Sequence, residues 1–156
     1  MKKLCILLFF GIYLANSNAQ GDMVIYLENE SYRAGILPDV GGRIVYLSYL
    51  GSENILKSDS SLWNEPDSLR MEPGPDVPFK AYNGHIVWVG PQSDWCKQQE
   101  INPERKKQSS FWPPDPWLIY GDYRIVSQSS TELVIMGPRS LVSGMRMVKT
   151  IRLEKE

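Results

Sequence analysis

Apolar and polar positions alternate with a period of two along most of the first third of the chain. Residues 23–27 and 32–37 are β-branched and aromatic runs joined by the polar Glu28-Asn29-Glu30-Ser31, a pattern that predicts a hairpin. Pro38-Asp39-Val40-Gly41-Gly42 is a turn sequence. Residues 43–50 then form the clearest strand pattern in the chain, closed by Gly51-Ser52, and residues 55–57 suggest a short extra strand. These elements predict an antiparallel meander.

From residue 58 to 82 neither the strand period nor the helix period persists. The stretch is rich in Pro, Asp, Ser and Glu, yet it carries Trp63, Phe79 and Tyr82, so it reads as a long loop packed onto something. Residues 84–91 read as a short apolar strand between two glycines. Residues 92–116 are irregular again and include Trp112-Pro113-Pro114-Asp115-Pro116. Each proline locks φ and removes a backbone donor, so residues 111–116 are expected to be a stiff loop, neither helix nor central strand. Strand patterns return at 120–126, 133–136 and 145–153, with turns at 127–131 and 137–139. No internal repeat and no helix longer than two turns is apparent. The fold class is mainly β.

The N-terminus changes the picture of where such a domain works. Lys2 and Lys3 precede an apolar run over residues 4–14, and Ala15-Asn16-Ser17-Asn18-Ala19 follows. That order predicts a cleaved signal peptide over residues 1–19, with export to the periplasm or the extracellular space. The apolar run is too short for a spanning helix, so no stable membrane insertion is expected after cleavage. Cys5 precedes the apolar run, which argues against lipid attachment.

Processing would leave a slightly acidic chain with a net charge of about −3. Nucleic acid is therefore a poor partner, and Arg105-Lys106-Lys107 reads as a solvated loop. Cys96 would remain as a single free thiol, giving no disulfide framework. His85 is the only histidine, which leaves a metal site poorly supplied. No cofactor is expected, and composition leaves the oligomeric state open.

Residues 36–47, Ile-Leu-Pro-Asp-Val-Gly-Gly-Arg-Ile-Val-Tyr-Leu, followed by Gly51 and Asn54-Ile55-Leu56, resemble the opening of galactose-mutarotase-like domains. Residues 82–92 look like the Gly-Gly-x-Pro-x-x-x-Pro-Gln segment of aldose epimerases, with His85 in place of a glycine and Val87 in place of the first proline. A closer likeness is to a group within that superfamily, the secreted bacterial domains of unknown function of DUF4380 type. Its Gly-His-x-x-Trp, Trp-Pro-Pro-Asp-Pro and Thr-Gly-x-x-x-x-Lys-Thr-Ile segments correspond to residues 84–88, 112–116 and 143–151, with Ser143 in place of the threonine. The resemblance covers residues 23–156 and implies an antiparallel β-supersandwich that binds carbohydrate on a concave face. Such domains are longer, so residues 20–156 are expected to be the N-terminal portion of an incomplete sandwich.

The resemblance implies a mono- or oligosaccharide-binding domain. An aldose mutarotase or epimerase with His85 as general acid is the alternative, although no residue matches the carboxylate partner that ring opening requires. A truncated copy without a competent site is a third reading. For His85 a structural role at a strand start competes with the catalytic one. Trp88, Trp95, Trp112 and Trp117 are candidates either for a sugar-stacking platform or for the core. Asp115 and Arg139 suit sugar hydroxyls or an acidic sugar's carboxylate, while Asp115 between prolines equally suits a turn. Arg43 either points into the concave face or is a solvated strand charge. Gln92, in the segment shared with the epimerases, completes the candidate set.

Overall fold

The computed structural model describes residues 23–64, 70–97, 101–110 and 114–154. The expected signal peptide and Trp112 lie outside these residues.

Three strands, β1 (Ile25–Glu28), β2 (Tyr32–Leu37) and β3 (Arg43–Tyr49), form an antiparallel meander in that order. A second antiparallel sheet has the order β4 (Arg124–Gln128), β5 (Glu132–Arg139), β6 (Arg146–Arg152). Between them the described residues form two single-turn 3-10 segments, Ser60–Leu62 and Gln92–Asp94, and two short helices, α1 (Pro103–Lys107) and α2 (Pro116–Tyr120). The protein is mainly β, as the alternation predicts. No helix among the described residues is long and apolar enough to cross a membrane.

The first sheet is buried on both faces. On one, Leu27, Ala34 and Ile36 join Tyr123, Leu133 and Ile135 of the second sheet's half in a single apolar cluster, flanked by Ile44, Leu47, Met147 and Ile151. Removing this much apolar surface from water is the main favourable term in the fold. On the other face Leu37, Val45 and Tyr82 pack with Ile119 and Tyr120 of α2, under Trp63, Met71 and Val77 from the long loop. That loop is therefore a lid over the sheet. The sheets also meet at their turns, where Glu28 N–H donates to the Ser130 carbonyl at 2.8 Å.

Four local expectations are corrected. Residues 84–91 are not a ladder strand: only His85 pairs, as an isolated bridge to Ile44, because Asn83 and Gly84 take left-handed backbone angles of φ 57° and 72° that turn the chain away. Residues 55–57 are not a strand either, and the nearest pairing is the isolated bridge between Ser58 and Asn83. Gly137-Pro138-Arg139 continues β5 instead of turning. A bulge between Met136 and Arg139 absorbs the proline, and the Tyr123 ring covers Gly137 so closely that a Cβ there would lie 2.6 Å from Cζ. Finally, residues 116–120 are helical. Pro116 stands at the first helical position, where a missing N–H costs nothing, and Asp115 caps it. Asn102-Pro103 starts α1 in the same way, so the basic cluster sits on one helical turn.

Candidate functional site

The turn over residues 38–42 anchors the site. Gly41 N–H donates to the Gly121 carbonyl at 3.0 Å and Tyr123 N–H to the Pro38 carbonyl at 3.1 Å, which pins the end of α2 against the first sheet. Gly41 has φ 71°, and a Cβ would come within 2.3 Å of the Ile119 carbonyl oxygen, so the position requires glycine. On the neighbouring edge, His85 exchanges backbone bonds with Ile44 at 2.7 and 3.1 Å, and this fixes where residues 86–95 leave the sheet.

Those residues fold back on themselves. The turn opened by Gln92, whose carbonyl accepts from Trp95 N–H at 3.1 Å, returns Trp95 to Trp88. The two indoles meet edge to face with centroids 5.5 Å apart and planes at 86°. This is the favoured geometry for ring quadrupoles. Trp95 Nε1 donates to the Val89 carbonyl, which fixes that ring, while Trp88 remains 42 % exposed.

The indole pair walls a cleft of about 320 Å³. Val87, Val89 and Pro91 continue the indole side, Leu118 and Ile119 of α2 close the back, and Val142, Ser143 and Met145 come from the β5–β6 connection. Asp94, Pro114 and Asp115 complete the lining. The volume lies at the small end of ligand sites, and the walls are mostly apolar with a few convergent polar groups.

Asp115 organises the polar end. Its Oδ1 accepts from Trp117 N–H at 3.1 Å as the cap of α2. Its Oδ2 accepts from the hydroxyls of Ser140, at 2.5 Å, and Ser143, at 2.8 Å. The Ser140 hydroxyl in turn accepts from the N–H groups of Val142 and Ser143, both at 3.0 Å, so one carboxylate shapes both the helix start and the connection facing it. The Tyr123 phenol donates to the Leu118 carbonyl at 3.1 Å, and burial, helped by the Asp115 charge, pushes its pKa up to about 12. At the rim Asp94 is solvated, and its hydrogen bond with Lys97 at 2.7 Å lowers its pKa.

Trp88, Trp95 and Asp115 thus come together in one cleft. Trp112 lies outside the described residues, and His85, Gln92, Arg139, Trp117 and Arg43 do not line the cleft. His85 is exposed on the sheet edge. Gln92 is exposed and serves the turn through its backbone. Arg139 is exposed, with Nε donating to the Gly144 carbonyl at 3.2 Å. Trp117 lies in the first turn of α2, outside the lining.

Arg43 corrects the expectation of a concave-face or solvated charge. It is 2 % exposed, donates to the Asn83 and Ile119 carbonyls at 2.8 and 3.2 Å, and lies over the Tyr82 ring. Burial pulls its pKa down to about 10, partly offset by the Tyr120 and Tyr82 phenols. It is a structural tie between the first sheet, the lid and α2. Sequence reasoning missed Asp94, which carries no motif, and the roles of Ser143 and Lys149, which stand in the 143–151 segment but whose partners, Asp115 and the Gly41 and Gly42 carbonyls, are distant in sequence.

Among the described residues no group of three or more His, Cys, Asp or Glu side chains is placed to hold a metal ion. No curated protein and no solved structure matches the chain. The motifs that build the site, from the Gly41-Gly42 turn through the Trp88 segment and Asp115 to Lys149, all fall within residues 23–156, the span matched by the model of the domain of unknown function DUF4380, and the chain belongs to that family.

Proposed function

We propose that this chain is an exported carbohydrate-binding domain of galactose-mutarotase-like type that takes one unit of a mono- or oligosaccharide in the cleft beside Trp88 and Trp95. The observation that carries the reading is the perpendicular indole pair on an apolar cleft with a polar end built on Asp115 and Ser143. A pyranose has an apolar C–H face and a rim of hydroxyls, and the cleft offers a partner for each. Trp95 is held by its bond to Val89, so little ordering entropy is left to lose on binding.

A binding role is favoured over epimerase chemistry by the place of His85. Acid–base catalysis needs its groups within hydrogen-bond reach of the reacting atoms, and His85 does not line the cleft.

The test is a two-dimensional amide spectrum of the processed chain titrated with neutral, amino and acidic monosaccharides. Saturable shifts of the Trp88 and Trp95 indole N–H signals with at least one sugar, without faster mutarotation, are expected. Accelerated mutarotation would replace the reading with the enzymatic one. No indole shift with any sugar would end it.

A further inference from the structure

We infer that the cleft selects by hydrogen-bond polarity: it takes sugars that present hydroxyl or ammonium donors to the Asp115–Ser143 end and refuses those carrying a carboxylate, sulfate or phosphate there. The choice of a sugar scaffold rests on the carbohydrate reading above. The polarity is a property of the cleft alone.

The hydroxyl hydrogens of Ser140 and Ser143 at the polar end are already committed. Ser143 has one hydroxyl proton, and it goes to Asp115 at 2.8 Å. Toward the cleft that oxygen therefore presents lone pairs. Trp95 Nε1–H is spent on the Val89 carbonyl, which removes a second donor from the wall. The Asp115 carboxylate can only accept, and so can Asp94 at the rim. A ligand group meeting these atoms forms hydrogen bonds by donating, and an acceptor-only anion meets lone pairs.

Charge acts in the same direction. The two ionisable side chains among the described lining residues are Asp94 and Asp115, both acidic. Among the described residues the hydrogen-bond donors to Asp115 are neutral: one backbone N–H and two serine hydroxyls. They satisfy its oxygens without cancelling its charge. Nearby cations are placed elsewhere. Lys97 pairs with Asp94 from the solvent side, Arg139 is turned to the Gly144 carbonyl, and Arg105 feels the Asp115 charge from outside the lining. Indole faces add negative quadrupole potential, which also favours a cation over an anion. Arg139, the residue whose type suits an acidic sugar's carboxylate, therefore does not meet a ligand in this cleft.

The experiment compares methyl glycosides of matched amino, neutral and uronic sugars in the gluco and galacto series, each titrated into the processed chain at about pH 6 with indole fluorescence and calorimetry as readouts. The expected order is amino, then neutral, then uronic, with a gap of about tenfold or more between the ends, the scale of one charge interaction in a partly solvated site. Cyclohexylammonium and cyclohexanecarboxylate are titrated alongside as a ring without sugar hydroxyls.

A uronic sugar that binds as tightly as its neutral counterpart overturns the polarity inference and leaves the carbohydrate reading standing. Binding of cyclohexylammonium, but of no sugar and no carboxylate, overturns the carbohydrate reading and upholds the polarity. If no sugar and neither probe binds, both fall. Asp94→Asn and Ser143→Ala are expected to narrow the ratio of amino to uronic affinity severalfold. A ratio unchanged in both variants overturns the assignment of the polarity to these groups.

Discussion

The Lys149 ammonium donates to the Gly41 carbonyl at 2.6 Å, across 108 positions of sequence, and to the adjacent Gly42 carbonyl at 3.1 Å. Strand β6 of the second sheet thereby holds the turn of the first sheet on which α2 rests. The amine is largely buried and lies over the Tyr123 ring at 4.8 Å. Two peptide dipoles and a ring face solvate a charge that water has left.

That burial makes stability depend on pH. Desolvation, with the Arg43 charge as a lesser cause, lowers the Lys149 pKa from 10.5 to about 8. Between those values the unfolded chain holds a proton that the folded chain has released, so stability rises with pH across the window and the gain is lost as pH falls through about 8. The Tyr120 and Tyr123 phenols, pushed upward by burial, act in the opposite sense once pH exceeds 10. The urea midpoint is therefore expected to climb from about pH 7.5 to about pH 9.5 in the parent chain and to stay flatter in Lys149→Met. Equal slopes in both proteins would remove Lys149 as the source.

The turn beneath Lys149 gives a second prediction. In Gly41→Ala the new Cβ meets the Ile119 carbonyl oxygen at 2.3 Å, and backbone cannot yield as a side-chain tip can. The expected loss is about 3 kcal/mol or more by urea unfolding. Gly51 is the control, since it shares the left-handed conformation at φ 73° but has open space around its Cβ. Gly51→Ala should cost only about 1 kcal/mol, the conformational part alone.

The strands were legible by apolar alternation and β-branched runs, which β5 keeps as alternate burial of Leu133 and Ile135, while β2 buries Ala34 to Leu37 in succession and β4 stays exposed. The short helices were not. Pro116 read as a breaker and residues 92–116 as irregular, although Pro103 and Pro116 each follow a capping residue, Asn102 or Asp115, and so stand where a proline begins a helix. In the site, Trp88, Trp95 and Asp115 stood out by residue type and do share one cleft. The role of Ser143 was hidden because it depends on a carboxylate 28 positions away, and that of Arg43 because nothing local distinguishes a buried arginine from a solvated one.

Among the described residues Asp115 accepts from three donors at once, and its substitutions should separate those roles. Asp115→Ala strips the cap from α2 and leaves the Ser140 hydroxyl, 1 % exposed, without its acceptor. A cap is worth about 1 kcal/mol and an orphaned buried hydroxyl about 1–3 kcal/mol, so the expected loss is about 2–4 kcal/mol. Asp115→Asn keeps an acceptor for Trp117 N–H and should cost less than half as much. Denaturant curves of the two variants and of Ser140→Ala decide it. If Asp115→Ala and Asp115→Asn lose equally, the charge matters more than the cap.

Trp88 and Trp95 form one ring pair but differ in what holds them, and that difference separates binding from stability. Trp88 is 42 % exposed, whereas Trp95 is more covered and fixed through its bond to Val89. Trp88→Ala should therefore cost about 1 kcal/mol of stability while lowering affinity for the bound sugar by about tenfold or more, the loss expected of an aromatic anchor. Trp95→Ala should damage both, since the loop from Val89 to Trp95 loses its internal tie. Trp88→Phe keeps a ring face with less area, so affinity should fall between parent and alanine. Calorimetric titration beside urea unfolding gives both quantities for each variant. A Trp88→Ala protein that binds sugar like the parent would show that the exposed indole is surface and not an anchor, and the cleft would lose its claim to the ligand.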